Sequence, residues 1–531
     1  MKMGFSISST VLFSILLTFL LFSTSRATSS SVHHENFVQC LLHHQSSNIP
    51  NVPIYSPNNS AYSPIFRSSA RNLRFLSPNS TKPQFIITPS YESQVQAAVF
   101  CCRKHSLDLK VRSGGHDVEG LSYVSDVPFV IVDLVNFRKV TVDVETKTAW
   151  VQAGASLGEV YYRIGEKRKT LGFPAGFCPT VGVGGHISGG GFGALVRKYG
   201  LASDQVIDAR IVNVDGKILN KETMGKDLFW AIRGGGASSF GVILSWKVKL
   251  VAVPATVTVA IIDRTLEQGA TDLVHRWQFI ADRLHEDLYI GVTLFVVNAS
   301  RAGEKTVQAQ FSFLFLGGAH RLLHLMEENF PELGLKRNDC TEMSWVESHV
   351  YFYARGRPLE LLLDRDPVTK SFLKIKTDYV KEPISKAGLK GMWRRFMKGE
   401  SPSMLWTPFG ARMNEISEFE TPYPHRVGNI YNIMYIGNWL EEKESKNQIH
   451  WMRKFYRYMA PYVSKSPRSA YLNYKDLDLL GQYKNGKVSY SKARVWGSKY
   501  FKSNFNRLVK VKSMVDPGNF FNNKQSIPPI N

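Results

Sequence analysis

The chain has 531 residues, 44% of them hydrophobic, with a net charge of +22 and a mean hydropathy of −0.17. That is the profile of a globular protein of roughly two to four domains, without long low-complexity segments. The basic balance raises nucleic acid as a partner, but the Lys and Arg residues are scattered rather than striped, and the N-terminus argues for export.

At that N-terminus Lys2 precedes the apolar run "VLFSILLTFLLF", followed by "STSRA" with Ser25 and Ala27 at small-residue cleavage positions. The run is too short to span a bilayer, so residues 1–27 read as a cleaved secretory signal, and no later segment is apolar enough for a membrane span. The mature protein is then expected in the extracellular space, or in the vacuole by the same route. There a basic surface favours an anionic wall polysaccharide, with plain solubility as the simpler reading of the charge. Asn58, Asn79 and Asn298 open N-x-S/T sequons and are expected to carry N-glycans. The five cysteines, Cys40, Cys101, Cys102, Cys178 and Cys340, are an odd number, so at least one is unpaired or otherwise engaged in an oxidising compartment.

A polar Ser-, Asn- and Pro-rich stretch runs to about residue 80. "PSYESQVQAAVFCCRKHS" then reads as a helix with Ser90 as N-cap and Val95, Ala98, Val99 and Cys102 on one face. "LDLKV" reads as a strand, "VTVDVETKTAWVQAGA" as a hairpin, and "VIDARIVNVDGKIL" as strand, Asp-Gly turn, strand. After Pro254 the pattern shifts. "TVQAQFSFLFLGG" alternates Val307, Ala309, Phe311, Phe313 and Phe315 against polar neighbours, a long half-buried strand, while "HRLLHLMEENF" and "NQIHWMRKFYRYMAPYV" are amphipathic helices. A large antiparallel sheet backed by helices fits this region, and the C-terminal tail is expected to fold back onto the first. The fold class is α+β.

Three glycine-rich loops fall in the first region: "RSGG" (112–115), "TVGVGGHISGGGFG" (180–193) and "RGGGASSFG" (233–241). None is a Rossmann fingerprint, since that register meets Ile187 or Ala194 where its last glycine belongs, and no Walker A, G-x-S-x-G or H-E-x-x-H motif occurs. NAD, ATP, serine-hydrolase and zinc-protease readings fall away, and no metal site is expected. Consecutive glycines let backbone N–H groups cradle a pyrophosphate and approach a flat heterocycle. His116 and Cys178 beside these loops are nucleophiles, and a flavin offers two electrophilic positions, its 8-methyl carbon and ring carbon 6. Taken singly, each side chain reads as well as a loop hydrogen-bonder or a small buried hydrophobe.

"RSGGHDVEGLSYVS" together with "GFCPTVGVGGHISGGGFG" closely resembles the plant berberine bridge enzyme-like flavoproteins, and "DLFWAIRGGGASSFGVI", "AYLNYKDLDL" and "DPGNFFNNKQSIPP" place it nearest their cannabinoid-synthase-like branch. The resemblance spans the mature chain. It implies a vanillyl-alcohol-oxidase-type fold: a two-part FAD-binding domain (28–253, with its PCMH-type core at about 80–253, plus the returning segment 475–531) and a substrate domain (254–474), acting as a monomer. It implies FAD bonded to His116 and Cys178 and a Cys40–Cys101 disulfide, leaving Cys102 and Cys340 free. Its cofactor contacts map onto Arg112, Ser113, Gly114, Gly115, Asp117, Ser122, Val181, Gly182, Gly185, His186, Gly189, Gly191, Tyr199, Gly200, Gly241, Ile243, Tyr471 and Asn473. Tyr474 matches the tyrosine that takes a proton from a substrate hydroxyl while hydride passes to flavin N5, and Tyr199 a second active-site tyrosine. Val181 matches an oxygen gate whose small residues accompany oxidase behaviour, with O2 reduced to H2O2.

Val118, Thr407, Phe409, Asn432 and Met434 stand where relatives carry larger or more polar residues. Asn is no general base and Met donates no hydrogen bond, so the pocket is expected to be apolar. An oxidase of aromatic, phenolic or alkaloid metabolites, with or without ring closure, is the reading that follows. A wall carbohydrate or monolignol oxidase, a redox-neutral FAD-dependent cyclase and an inactive flavin binder are the alternatives.

Overall fold

The computed structural model describes residues 35–44, 46–78, 80–366, 370–481 and 489–530. The signal segment and Asn79 lie outside the described residues.

The helix Glu92–Lys104 forms where the apolar spacing predicts it, with Val95, Ala98, Val99 and Cys102 fully buried. Its start differs: Tyr91, not Ser90, is the N-cap, because the Gln94 side chain reaches back to accept from the backbone N–H groups of Ser90 (2.8 Å) and Tyr91 (3.2 Å). The strands Phe85–Ile87, Phe129–Asp133 and Asp108–Arg112 pair in parallel, with the short Ile54–Tyr55 antiparallel at the edge. A second, five-stranded antiparallel sheet takes in both sequence-read hairpins, Val140–Asp143 with Thr148–Gln152 and Val206–Val212 with Ile218–Leu219, and is completed by Val242–Lys249. The C-terminal helices Tyr490–Phe501 and Asn504–Val515 share this region's core through Trp496, Phe505 and Leu508. Cys40 and Cys101 form a disulfide.

The middle of the chain builds a seven-stranded, wholly antiparallel sheet in the order 340–343, 257–265, 305–315, 288–298, 401–408, 431–439, 372–380. Its two faces follow from alternation. Val292, Leu294, Phe311, Phe313, Ile433 and Tyr435 are buried against helices 270–277, 319–329, 386–396 and 445–459. The opposite parity, including the polar neighbours Gln310 and Ser312, faces the first region across a cavity.

Two contacts shape that cavity, one within the first region and one between the halves. Gly114 and Gly182 touch backbone to backbone: a Cβ on Gly114 would lie 2.3 Å from the Gly182 nitrogen. Further along, the ammonium of Lys374 is hydrogen-bonded to Glu119 and, at 2.6 Å, to Asp476, while Lys376 bonds Asp476 (2.6 Å) and Asp478 (2.7 Å). Lys374, Lys376, Glu119 and Asp476 are each only 3% exposed at the side chain. Burial pulls the Lys374 pKa down, but Asp476 and Glu119 outweigh it and the net shift is upward, so the lysine stays charged.

Lys374→Met strands two buried carboxylates and should lower stability by about 3–5 kcal/mol, read as a drop in the urea midpoint; an unchanged midpoint would mean that the acids are not held by this lysine. Gly114→Ala drives a methyl into the facing loop at an expected cost of about 1–3 kcal/mol together with weaker flavin retention, both visible in a thermal melt followed by protein and flavin fluorescence.

Candidate active site

The cavity between the two halves measures about 640 Å³. The first glycine loop brings Ser113, Gly114, Gly115, His116 and Asp117 to its wall, and the second brings Val181, Gly182, Gly185 and His186. Gly241 and Ile243 line it from the third loop and the strand that follows, and Tyr471, Asn473 and Tyr474 from the C-terminal segment. The first loop leaves the strand Asp108–Arg112, the second enters the helix Val183–Ser188 and the third leads into the strand Val242–Lys249, and all three meet at the cavity.

His116 and Cys178 converge on one hydroxyl that the sequence reading missed. Thr180 Oγ1 lies 3.0 Å from His116 Nε2 and 3.5 Å from Cys178 Sγ. With Nε2 so engaged, Nδ1 is the ring nitrogen left for chemistry. Burial, and then the Arg71 charge, pull the His116 pKa down to about 3, so the imidazole is neutral and nucleophilic at physiological pH. His186 is likewise held neutral by burial, with a pKa lowered to about 4, and its Nε2 accepts from the Gly176 N–H at 3.1 Å, which fixes the loop carrying Cys178. Ser113 Oγ donates to the Ala153 carbonyl at 2.6 Å. Asp117 pairs with Lys475 at 3.6 Å and accepts from the N–H groups of Glu119 and Leu121, shaping its own loop.

The wall fits a dinucleotide flavin. Among the described residues, Ser122 Oγ and Arg71 Nε and Nη1 are buried polar atoms with no hydrogen-bond partner, and all three belong to lining residues. Buried donors of this kind ask for an oxygen-rich ligand, and the bare backbone at 113–116 and 181–186 leaves space for one.

Five expected contacts lie off the cavity. Arg112 is fully buried behind the loop, bonded to Asp133 at 2.6 Å and to the carbonyls of Ile65 and Phe66; it holds the strand end rather than a phosphate. Gly189 packs against the Asn473 side chain, and the Gly191 N–H donates to Tyr471 Oη at 2.9 Å, so both support the C-terminal segment. Gly200 ends the short helix Val196–Tyr199, and Tyr199 turns outward, its hydroxyl donating to the Ala252 carbonyl. The match assigned these residues by motif position, and a one-turn helix points the phenol away.

Among the departures, Val118, Thr407 and Met434 line the cavity, but Asn432 and Phe409 do not. Asn432 lies on the cavity face of its strand one pair too far along, donating to Thr377 Oγ1 (3.0 Å) and the Asp378 carbonyl (2.9 Å). Phe409 is fully buried in an aromatic cluster with Phe192 and Tyr379. The sheet presents Leu405, Met434, Ile436 and Ile375 on one half of the floor and Thr293, Gln310 and Ser312 on the other. Its one ionisable contribution is Tyr289, a second residue that the sequence reading missed; the mid-strand glycine two positions on was the available signal. Burial raises the pKa of both Tyr289 and Tyr474, and at Tyr474 the neighbouring Tyr289 adds to the rise. Neither is poised as a phenolate.

Comparison with known proteins agrees with this geometry. Residues 83–221 match the FAD binding domain family and residues 470–528 the berberine and berberine-like family. The chain is 72% identical to a tetrahydroberberine oxidase of Argemone mexicana over 97% of this chain and 95% of that protein. It is 55% identical to one of Berberis wilsoniae over 97% and 98%. The solved structure of BBE-like 28 from Arabidopsis thaliana superposes with a TM-score of 0.87 at 46% identity, covering 94% of this chain and all of that one. These relatives correct the expected leaning toward the cannabinoid-synthase-like branch. With paired flavin loops, a returning C-terminal segment and relatives of this identity over nearly its whole length, the chain belongs to the berberine bridge enzyme-like family and is an FAD-dependent oxidase.

Proposed function

We propose that this oxidase acts on a tetrahydroberberine-type alkaloid, removing hydride from a carbon next to its tertiary ring nitrogen. The observation that carries the reading is the floor of the cavity, where the sheet offers tyrosine as its sole ionisable group beside the His116–Cys178 pair. The two tetrahydroberberine oxidases among the relatives support it.

An alcohol oxidase must take a proton from a hydroxyl as hydride leaves, which calls for a base with a pKa near the working pH. A tertiary amine needs none, because its nitrogen lone pair fills the vacated bond and the product is an iminium ion. Tyr474, buried and with its pKa raised, then serves as a wall and not as the expected base. Bound FAD would supply the hydride acceptor and return the electrons to O2 as H2O2. His116 and Cys178 would hold it by two covalent bonds, with Thr180 orienting both nucleophiles. Ser122 and Arg71 would give hydrogen bonds to its oxygens, and Val181, small and on the cavity wall, would leave room for O2. Secretory-pathway transit is consistent with the Cys40–Cys101 disulfide and with glycans on the exposed Asn58 and Asn298.

Denatured wild-type protein should carry the mass of FAD. His116→Ala and Cys178→Ala should each retain it through the other bond, and the double variant should release it on acid precipitation; release from wild type would remove the tether assignment. With tetrahydroberberine and O2, peroxide should form, and kcat/KM should rise with pH along one limb as the substrate amine loses its proton. Because burial pushes both phenols upward, no enzyme group adds a second rising limb in the working range, and Tyr474→Phe should keep the same profile. A limb that disappears in that variant would restore Tyr474 as base.

A further inference from the structure

Gly291 sits inside the eleven-residue strand Leu288–Asn298, on the face toward the cavity. A Cβ there would lie 2.5 Å from the Tyr289 hydroxyl oxygen and 2.9 Å from its Cε1 and Cζ. Residues i and i+2 share a face of a strand, so the missing side chain lets the Tyr289 phenol fold along the floor over Gly291. The ring is held there. Its ring stands tilted at 52° to that of Phe177, 5.6 Å between centroids, with Phe352 behind at 5.7 Å from Phe177. Phe177 immediately precedes Cys178, so this aromatic wall stands beside the tethered edge of the flavin site.

We infer that the Tyr289 ring is a catalytic residue that stabilises, through its π face, the positive charge developing on the substrate nitrogen as hydride leaves. The inference rests on the amine-oxidation reading above. In that step the C–H bond next to nitrogen breaks with both electrons leaving as hydride, and the nitrogen lone pair forms C=N and retains the positive charge. The electron pair goes through FAD to O2, which with solvent protons gives H2O2. Charge therefore appears where the neutral amine had none, and the floor holds no carboxylate to meet it. An aromatic face attracts a desolvated cation but has little preference for the neutral amine. That is the differential binding that lowers a barrier.

The test compares Tyr289→Leu, Tyr289→Phe and Gly291→Ala, each checked for wild-type flavin content and melting temperature. Anaerobic flavin reduction by tetrahydroberberine should slow about tenfold in Tyr289→Leu and stay within about twofold in Tyr289→Phe. Gly291→Ala, which displaces the ring, should follow the leucine variant. Binding of berberine, which carries the cationic nitrogen, should weaken by a similar factor in Tyr289→Leu while KM for the neutral amine changes little. Equal weakening for both would reduce the ring to a packing role and overturn the inference, as would a phenylalanine variant as slow as leucine. If wild type fails to oxidise tetrahydroberberine, the functional reading falls instead; if it succeeds and the leucine variant keeps pace, only the role of Tyr289 is lost.

Discussion

Everything around the cavity depends on a cluster of charges whose central members, Lys374, Lys376, Glu119 and Asp476, are almost wholly withdrawn from solvent. Lys374 joins Glu119, three residues after His116, to Asp476, two residues after Tyr474. Its neighbours Leu373 and Ile375 line the cavity. One ammonium group thus registers the loop that carries His116, the C-terminal segment and the sheet floor of the cavity against one another. Bringing such groups out of water costs more than their attraction returns unless the geometry is good and the remaining lone pairs are filled. Here they are filled: the Leu477 N–H donates to Glu119 at 3.3 Å, Lys376 takes the second Asp476 oxygen, and Arg453 reaches Asp478 at 2.6 Å from the surface. The cluster is better understood as a device for register than for stability, since a slipped strand would strand several charges at once.

The sheet floor of the cavity follows the opposite rule and carries no charged side chain. A carboxylate on the floor would hold a tertiary amine in its protonated form, whose lone pair is occupied and cannot expel hydride. A buried floor without a carboxylate disfavours the ammonium ion by desolvation and so favours the reactive neutral amine. The same burial keeps His116 and His186 neutral and the phenols of Tyr289 and Tyr474 protonated. A single physical cause, low polarity at the meeting of sheet and loops, sets all these protonation states. It suits a reaction in which charge is created during the chemical step rather than brought in with the substrate.

What could be read from the sequence was what is local. Glycines beside His116 and Cys178 mark backbone pressed against something flat, and strand alternation in 305–315 marks a sheet with two unlike faces. The alternation marks a half-buried strand but not what its polar side meets, and Gln310 and Ser312 face the cavity. Thr180 looked like one more loop residue, because only the fold places it between two side chains sixty-two residues apart in sequence. Arg112 and Tyr199 were drawn into the site by position within a motif, yet a buried partner at Asp133 and a one-turn helix direct them elsewhere. Lys374 and Lys376 gave no signal, since charged residues alternating along a strand read as a solvated face.

The chain also divides its labour in a way that bears on how such an enzyme acquires a substrate. The cofactor wall comes from residues before 250 and after 470, and these pieces share one core, Trp246 and Ile211 packing in the same cluster as Trp496 and Leu508. The substrate floor comes from strands between 257 and 439, which have a separate core behind them. Side chains on the cavity face of those strands, such as Leu405, Met434 and Ile436, line the cavity and belong to neither core. Changes at these positions alter the shape and polarity presented to substrate while leaving both cores and the Lys374 cluster in place. Gly291 is the exception, because its lack of a side chain decides where Tyr289 lies. It thereby connects the floor to the aromatic wall beside Cys178, since the Tyr289 ring that lies over it also meets Phe177.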